Sequence, residues 1–124
     1  MYLFYITFVA VSDVRCYNLI YIDMMNNKAR FLGVNGTPTF CIMTDFLEGY
    51  KPTKEEMKKK DRLGLNDFFE LYDDDGVKYY SGYANFELMD EFGMDEFTIL
   101  DMAMYDAGCT YIKTRSKNGK MEMV

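Results

Sequence analysis

Three short turn dipeptides, each flanked by residues that favour strands, constrain the fold more than any other feature of the sequence. They are Asn35-Gly36, Asp75-Gly76 and Asn118-Gly119. Such dipeptides tolerate positive φ at both central positions, as a two-residue type I′ hairpin turn requires. A hairpin turn joins antiparallel neighbours. The sequence therefore predicts an antiparallel sheet that is built from hairpins.

The segments between the turn signals are rich in β-branched and aromatic residues, which are typical of strands. The predicted strands cover residues 2–11, 14–22, 28–34, 39–44, 69–72, 77–84, 109–116 and 120–124. Pro38 has no backbone N–H, so the fourth strand should begin at an edge or a bend.

One helix start is well marked. Thr53 and Glu56 have the spacing of a capping box, and Pro52 precedes them. The helix is predicted to run to Arg62 and to end at Gly64. Its lysines, at positions 58, 59 and 60, are interpreted as a solvated face.

A second helix is predicted within residues 95–105. Phe97, Leu100 and Met104 would share its apolar side, and Gly108 suits its end. With one or two helices beside a hairpin sheet, the predicted fold class is α+β. A small β-barrel closed by the terminal hairpin is the alternative.

The chain of 124 residues is predicted to be a single domain. Residues 1–23 contain no Lys, Glu, Gly or Pro, and Met24 follows Asp23. Either this segment forms two core strands, or it is an over-extended N-terminus from a start codon assigned too early. Its apolar run over residues 2–11 is shorter than the roughly 20 residues that a membrane-spanning helix needs.

Charge is distributed unevenly along the chain, whose net charge is −6. Residues 63–112 carry twelve acidic side chains and one basic one, Lys78. Residues 51–62 carry six basic and three acidic side chains, and residues 113–120 carry four basic and no acidic ones. The dominant negative field disfavours nucleic acid as a direct ligand and favours a protein partner with a basic surface.

The chain has no histidine and three scattered cysteines, Cys16, Cys41 and Cys109. Catalytic arrangements and metal sites that need histidine are therefore excluded. The cysteine spacing argues against a disulfide framework or a zinc ribbon. We interpret the cysteines as buried free thiols of a cytoplasmic protein, and predict no metal and no cofactor.

A calcium loop and a carboxylate-dependent active site are both weaker interpretations of the acidic residues than an acidic hairpin loop or a solvated surface. If Gly76 were the glycine of a calcium loop, Leu71 and Gly82 would stand at ligand positions, and neither side chain can serve. Carboxylates that cluster at positions 90, 91, 95 and 96 could act in glycoside cleavage only if two of them converged across a bond. The chain is accordingly predicted not to be an enzyme.

The remaining candidate site is the acidic stretch with interleaved aromatic residues. Rigidly spaced carboxylates can imitate a phosphate backbone, and aromatic side chains can anchor a protein partner. The predicted partner-binding residues are Asp73, Asp74, Asp75, Glu87, Asp90 and Glu91, with Tyr79 or Tyr80 as anchors. An ordinary solvated acidic surface is the alternative interpretation.

The C-terminal part of the chain resembles a group of short, uncharacterised bacterial and phage proteins. The similar segments are residues 70–76 (ELYDDDG), 79–82 (YYSG), 106–110 (DAGCT) and 117–119 (KNG). The resemblance covers less than half the chain and implies only a setting, the cytosol of a bacterium that carries a phage or plasmid. It implies no particular activity.

These observations favour a small acidic binding protein that inhibits a nucleic-acid-handling host protein through its acidic surface. A self-associating accessory protein of a mobile element and a small carboxylate-dependent enzyme are the alternatives.

Overall fold

The computed structural model describes residues 19–21, 29–116 and 118–124, and within these it has seven strands and three helices. Their bounds are β1 Leu19–Tyr21, β2 Arg30–Val34, β3 Thr37–Asp45, α1 Lys54–Arg62, β4 Asp67–Tyr72, β5 Lys78–Ala84, α2 Phe86–Glu91, α3 Glu96–Ala107, β6 Tyr111–Arg115 and β7 Met121–Met123. The predicted strand at 2–11 lies outside the described residues, and of the predicted strand at 14–22 only β1 is described. The proposed over-extended N-terminus, residues 1–23, lies outside them too except for β1.

All seven strands form one antiparallel sheet in the order β1-β2-β3-β5-β4-β6-β7. The predicted α+β class is confirmed. The alternative of a small β-barrel is wrong, because β1 and β7 lie at opposite edges and the sheet stays open. The terminal hairpin extends the sheet by two strands at one edge instead of closing it.

The predicted hairpins form, but only one has the predicted turn. Asn35 and Gly36 have φ values of 52° and 82°, as a type I′ turn requires. At the other two turns only the glycine has positive φ, with values of 80° at Gly76 and 88° at Gly119. These two are longer loops with a left-handed glycine, closed by bonds of 3.0 Å from the Asp73 N–H to the Val77 carbonyl and of 2.8 Å from the Ser116 N–H to the Lys120 carbonyl.

Each face of the sheet has its own apolar core. On the first, which we call the helical face, α2 and α3 cover the strands. Fully buried side chains on this side include Phe40, Phe69, Leu71, Ile112, Met89, Ile99 and Ala103. On the second, the α1 face, α1 and its flanking loops cover a smaller cluster that includes Phe31, Cys41, Met43 and Leu65.

The helices differ from prediction in number and orientation. The described residues contain three helices, because α2 forms over six residues with Asn85 as its N-cap. Six residues are too few to show a helical period in the sequence. In α3, Thr98, Ile99, Leu100, Met102 and Ala103 are buried, whereas Phe97 and Met104 point outward. The predicted apolar side of this helix is therefore wrong at Phe97 and Met104 and right at Leu100, and the position of the helix along the chain is confirmed.

The predicted solvated face of α1 holds at Lys58, holds only in part at Lys59, which is half-buried, and is wrong at Lys60. Lys58 is exposed, but Lys60 is buried, with its ammonium group 4.0 Å from the ring centroid of Tyr83 and 2.7 Å from Asp61. The long aliphatic part of a lysine can cover apolar surface while its charge keeps a partner. Lys60 thus belongs to the core of the α1 face.

Candidate functional site

The predicted partner-binding residues fall into two separate groups. Asp73, Asp74 and Asp75 belong to the loop that precedes β5, whereas Glu87, Asp90 and Glu91 belong to α2, which follows β5. β5 has seven residues and spans about 20 Å. The six carboxylates therefore do not form one continuous surface.

Tyr80 faces inward, so its predicted role as an anchor for a partner is wrong. Its side chain is 4% exposed, and its hydroxyl donates to Oδ2 of Asp106 at 2.9 Å. Nη1 of Arg30 contacts the same oxygen at 2.9 Å. Burial and then the negative charge of Asp106 raise the pKa of Tyr80. This network ties the end of α3 to β2 and β5.

Asp73 builds the β4–β5 loop. Its carboxylate accepts hydrogen bonds of 2.9 Å from the backbone N–H groups of Asp75 and Val77 and from the hydroxyl of Tyr79. The bond from Val77, followed by those from Tyr79 and the other backbone groups, holds the pKa of Asp73 below its ordinary value against the opposing effect of desolvation. Asp73 and Tyr79 therefore have a structural role, while Asp74 and Asp75 are exposed.

The strongest concentration of negative charge lies on α2 and α3. Residues 85–112 contain no Lys or Arg and carry seven carboxylates, at Glu87, Asp90, Glu91, Asp95, Glu96, Asp101 and Asp106. Glu87, Asp90 and Glu91 are exposed. Asp95 caps α3, and Asp106 pairs with Arg30.

Large apolar side chains are exposed on the same two helices. The exposed fractions are 42% for Phe92, 49% for Phe97, 50% for Met104 and 69% for Tyr105. Phe97, Met104 and Tyr105 are spaced at i, i+7 and i+8, so they follow one stripe along α3. We call α2, α3 and these outward side chains the acidic helix surface.

The sequence contains a signal for these apolar residues, but their helical spacing predicts a side that faces the core. Phe97 and Met104 have helical spacing, and periodicity cannot tell which side of a helix faces the sheet. The buried side is identified by contacts of Ile99 and Ala103 with strands that are distant in sequence.

The cysteines that the structure describes lie in different cores. Cys41 is buried on the α1 face and Cys109 on the helical face, and both are free. Burial, the largest influence in each case, raises both thiol pKa values to about 12. Within the described ranges, no three acidic or cysteine side chains are grouped so that they could hold a metal ion.

In the same part of the chain, no helix is long and apolar enough to cross a lipid bilayer. Comparisons with protein-family models, curated protein sequences and solved structures found no match to the chain. The resemblance to short bacterial and phage proteins therefore stays a prediction.

Proposed function

We propose that the protein is a non-enzymatic binding protein whose acidic helix surface engages a basic surface of a partner protein. The observation that supports this most is the coincidence of charge and exposed apolar area. Seven carboxylates without a single basic residue occupy the segment that also exposes Phe92, Phe97, Met104 and Tyr105. Exposed aromatic and methionine side chains are typical of interfaces, and carboxylates around them can steer a basic partner toward the surface.

The two features have separate physical roles in binding. The carboxylates create a local field that accelerates encounters with a basic partner, and salt weakens this field. The aromatic and methionine side chains lose water when the partner covers them, and this burial lengthens the lifetime of the complex. α2 and α3 are suited to this because Met89, Ile99 and Ala103 fix them to the sheet with no exposure of their own.

The partner class that we favour is a nucleic-acid-handling protein of the host cell. Such proteins carry basic grooves that recognise regularly spaced phosphates. Carboxylates at Glu87, Asp90 and Glu91 would occupy such a groove in place of phosphates. Binding would then compete with nucleic acid and inhibit the host protein.

The test begins with affinity capture of partners from bacterial host lysate, followed by rate measurements on the purified partner. Asp90→Lys with Glu91→Lys should lower the association rate constant about tenfold at low salt, with a smaller effect at high salt. Phe97→Ala should raise the dissociation rate constant and leave association nearly unchanged.

Asp74→Lys with Asp75→Lys is the matched control, because it makes the same change in net charge at the β4–β5 loop. If this control slows association as much as the α2 variant does, only net charge matters and the acidic helix surface is not the binding site. Double-stranded nucleic acid that the partner binds should displace the protein from the partner, and a partner that holds the duplex and the protein at the same time would contradict the proposed competition.

A further inference from the structure

The fold brings the two basic segments of the chain to the same side of the sheet. The ammonium group of Lys59 in α1 lies 4.6 Å from the ring centroid of Phe31, on the α1 face. Phe31 pairs with Cys41, Cys41 with Tyr83, and Tyr83 with Phe68, so these side chains follow one row across four strands. The row leads from α1 to the second basic segment, which lies on β6.

Strands β4 and β6 place aromatic and basic residues on this same face. Their alternate residues Phe69, Leu71 and Ile112 are buried on the helical face. The residues between them therefore point to the α1 face. They are Phe68, Glu70 and Tyr72 on β4 and Tyr111, Lys113 and Arg115 on β6. In this set Arg115 is exposed and the other five are half-buried.

The side chains of this face form close ring and cation contacts. The rings of Tyr72 and Tyr111 are stacked, with centroids 5.1 Å apart and planes 3° from parallel. Lys113 lies 4.8 Å from the ring centroid of Tyr72, and Arg115 lies 4.7 Å from that of Phe68. We call Phe68, Tyr72, Tyr111, Lys113 and Arg115 the basic aromatic platform.

The carboxylate of Glu70 lies on the same face beside the platform, and its negative charge is balanced by Lys78. Nζ of Lys78 is 2.6 Å from its Oε2, and the hydroxyl of Tyr72 donates to its Oε1 at 2.7 Å. Desolvation alone would raise the pKa of Glu70, but these two hydrogen bonds and the charges of Lys78 and Lys113 outweigh it and lower the pKa. With Lys78 pairing Glu70, the charges of Lys113 and Arg115 give the platform its positive sign.

We propose that the basic aromatic platform binds single-stranded nucleic acid. Bases stack on aromatic rings in proteins that bind single strands, and Lys and Arg contact the phosphates. Phe68 and Tyr72 are four residues apart on β4, which separates two stacking positions by about 13 Å. Lys113 and Arg115 have long side chains that can move from the rings to phosphates when bases take their place.

The net charge of −6 does not describe the platform, because seven of the twelve carboxylates in residues 63–112 belong to the acidic helix surface. The acidic β4–β5 loop does adjoin the platform, through Gly76 and Tyr111. The seven carboxylates of the acidic helix surface belong to helices that pack on the helical face, while the platform lies on the α1 face. The binding chemistry therefore depends on the local field near Lys113 and Arg115. An acidic peptide would satisfy the two cations, but it offers no flat apolar groups for Tyr72, Tyr111 and Phe68, so we favour unpaired bases.

The test uses the full chain and a fluorescein-labelled oligothymidine or oligouridine of about 12 nucleotides, a length within the range of single-strand sites. Fluorescence anisotropy should report saturable binding that weakens as salt rises. A duplex of the same length should bind about tenfold more weakly, because its bases are already stacked on each other. Equal affinity for the duplex, or no binding to single strands at low salt, would overturn the proposal.

Two variants and a control distinguish the contribution of the cations to binding from that of the aromatic rings. Lys113→Gln with Arg115→Gln should reduce the slope of log K against log salt by about 1.4, since each phosphate contact on a single strand contributes about 0.7. Lys54→Gln with Lys58→Gln removes the same charge from exposed positions of α1 and should leave the slope unchanged. Tyr72→Leu should weaken binding about tenfold at every salt concentration, with the slope preserved.

Several results would contradict the proposal. One is equal loss of affinity in the two double-Gln variants, because it would indicate attraction by overall charge. Another is full affinity in Tyr72→Leu, with native circular dichroism, because it would remove stacking from the mechanism. Competition by polyglutamate at the affinity of the oligonucleotide would assign the platform to acidic proteins instead. In a protein that carries Asp90→Lys and Glu91→Lys, the change Lys113→Gln with Arg115→Gln should still reduce the salt slope by about 1.4. The test of the platform is therefore independent of the proposed function of the acidic helix surface.

Discussion

At the residue scale, the closest backbone approach in the centre of the sheet depends on a glycine. A Cβ atom built on Gly82 would lie 1.9 Å from the carbonyl oxygen of Cys41 and 2.9 Å from the ring of Phe69. Real Cβ atoms do not approach a backbone oxygen so closely. Strands β3 and β5 can therefore pair at this point only because position 82 has no side chain.

Gly82→Ala should accordingly lower the free energy of unfolding by about 3 kcal/mol, because the added methyl group forces two central strands apart. Gly49→Ala is the matched control: it has open space around it but a φ of 78°, and should cost about 1 kcal/mol. Equilibrium urea unfolding of the two variants measures the difference. A loss at position 82 no larger than that at position 49 would show that the strands accommodate the methyl group beside Cys41 at little cost.

At the scale of the elements, α1 begins at the capping box that its sequence predicts, but it packs with Lys60 buried, which its sequence does not predict. The capping box forms, with the Glu56 N–H donating to Oγ1 of Thr53 at 3.1 Å and the Thr53 N–H donating to Oε1 of Glu56 at 2.9 Å. Glu56 also accepts a hydrogen bond from the hydroxyl of Tyr50. The capping carboxylate thus joins the helix start to the loop before it.

The burial of Lys60 gives α1 a second attachment, which a pair of variants can test. Lys60→Ala should lower the free energy of unfolding by about 1–2 kcal/mol, since it removes buried methylene groups and the cation contact with Tyr83. Lys58→Ala, two positions away on the exposed side, should change it by less than about 0.5 kcal/mol. Urea unfolding at neutral pH provides the comparison. If the two variants were equally stable, Lys60 would not contribute to the core.

At the scale of the whole molecule, one sheet separates two surfaces of opposite chemistry. The helical face carries α2 and α3 with their seven carboxylates, and the α1 face carries the basic aromatic platform. A molecule of this kind can contact a basic protein on one side and a polyanion on the other. The two proposals concern different faces of the sheet, so each can be tested without the other.

The two described thiols report on opening of the whole sheet. Cys41 and Cys109 have pKa values raised to about 12 by burial, so little thiolate exists in the folded protein at pH 8. In a Cys16→Ser variant, both should react with an aromatic disulfide reagent only after global unfolding. Their protection should be equal and should match the free energy of unfolding from urea. Rapid labelling of either thiol in native buffer would show local opening of that face.

The features that could be predicted are those encoded by neighbours in sequence. Asn35-Gly36 forms the predicted type I′ turn, Thr53 and Glu56 form the predicted capping box, and Gly108 ends α3 with a φ of 84°. Each depends on hydrogen bonds or backbone conformations that span a few residues. The α+β class followed from these local signals, because hairpins joined in series produce an antiparallel sheet.

The candidate surfaces could be predicted only in part. The sequence identified acidic residues with interleaved aromatic side chains, including Glu87, Asp90 and Glu91. It could not show that Tyr80 faces Asp106 across 26 residues of chain, or that the β4–β5 loop and α2 stand at opposite ends of β5. Those relations depend on strand pairing and side-chain burial between distant residues, which composition does not encode.

The local structure and the total charge can be deduced from the sequence alone, because turns, caps and ionised side chains are properties of short segments. Where that charge and the aromatic rings lie depends on contacts between segments that are distant in sequence. The register that pairs Phe69 with Thr114 turns Leu71 and Ile112 inward, and it thereby turns Tyr72 and Lys113 outward. A shift of one residue would exchange the two sets, since alternate side chains of a strand point to opposite faces. Only the folded sheet could therefore separate an acidic surface from a basic one.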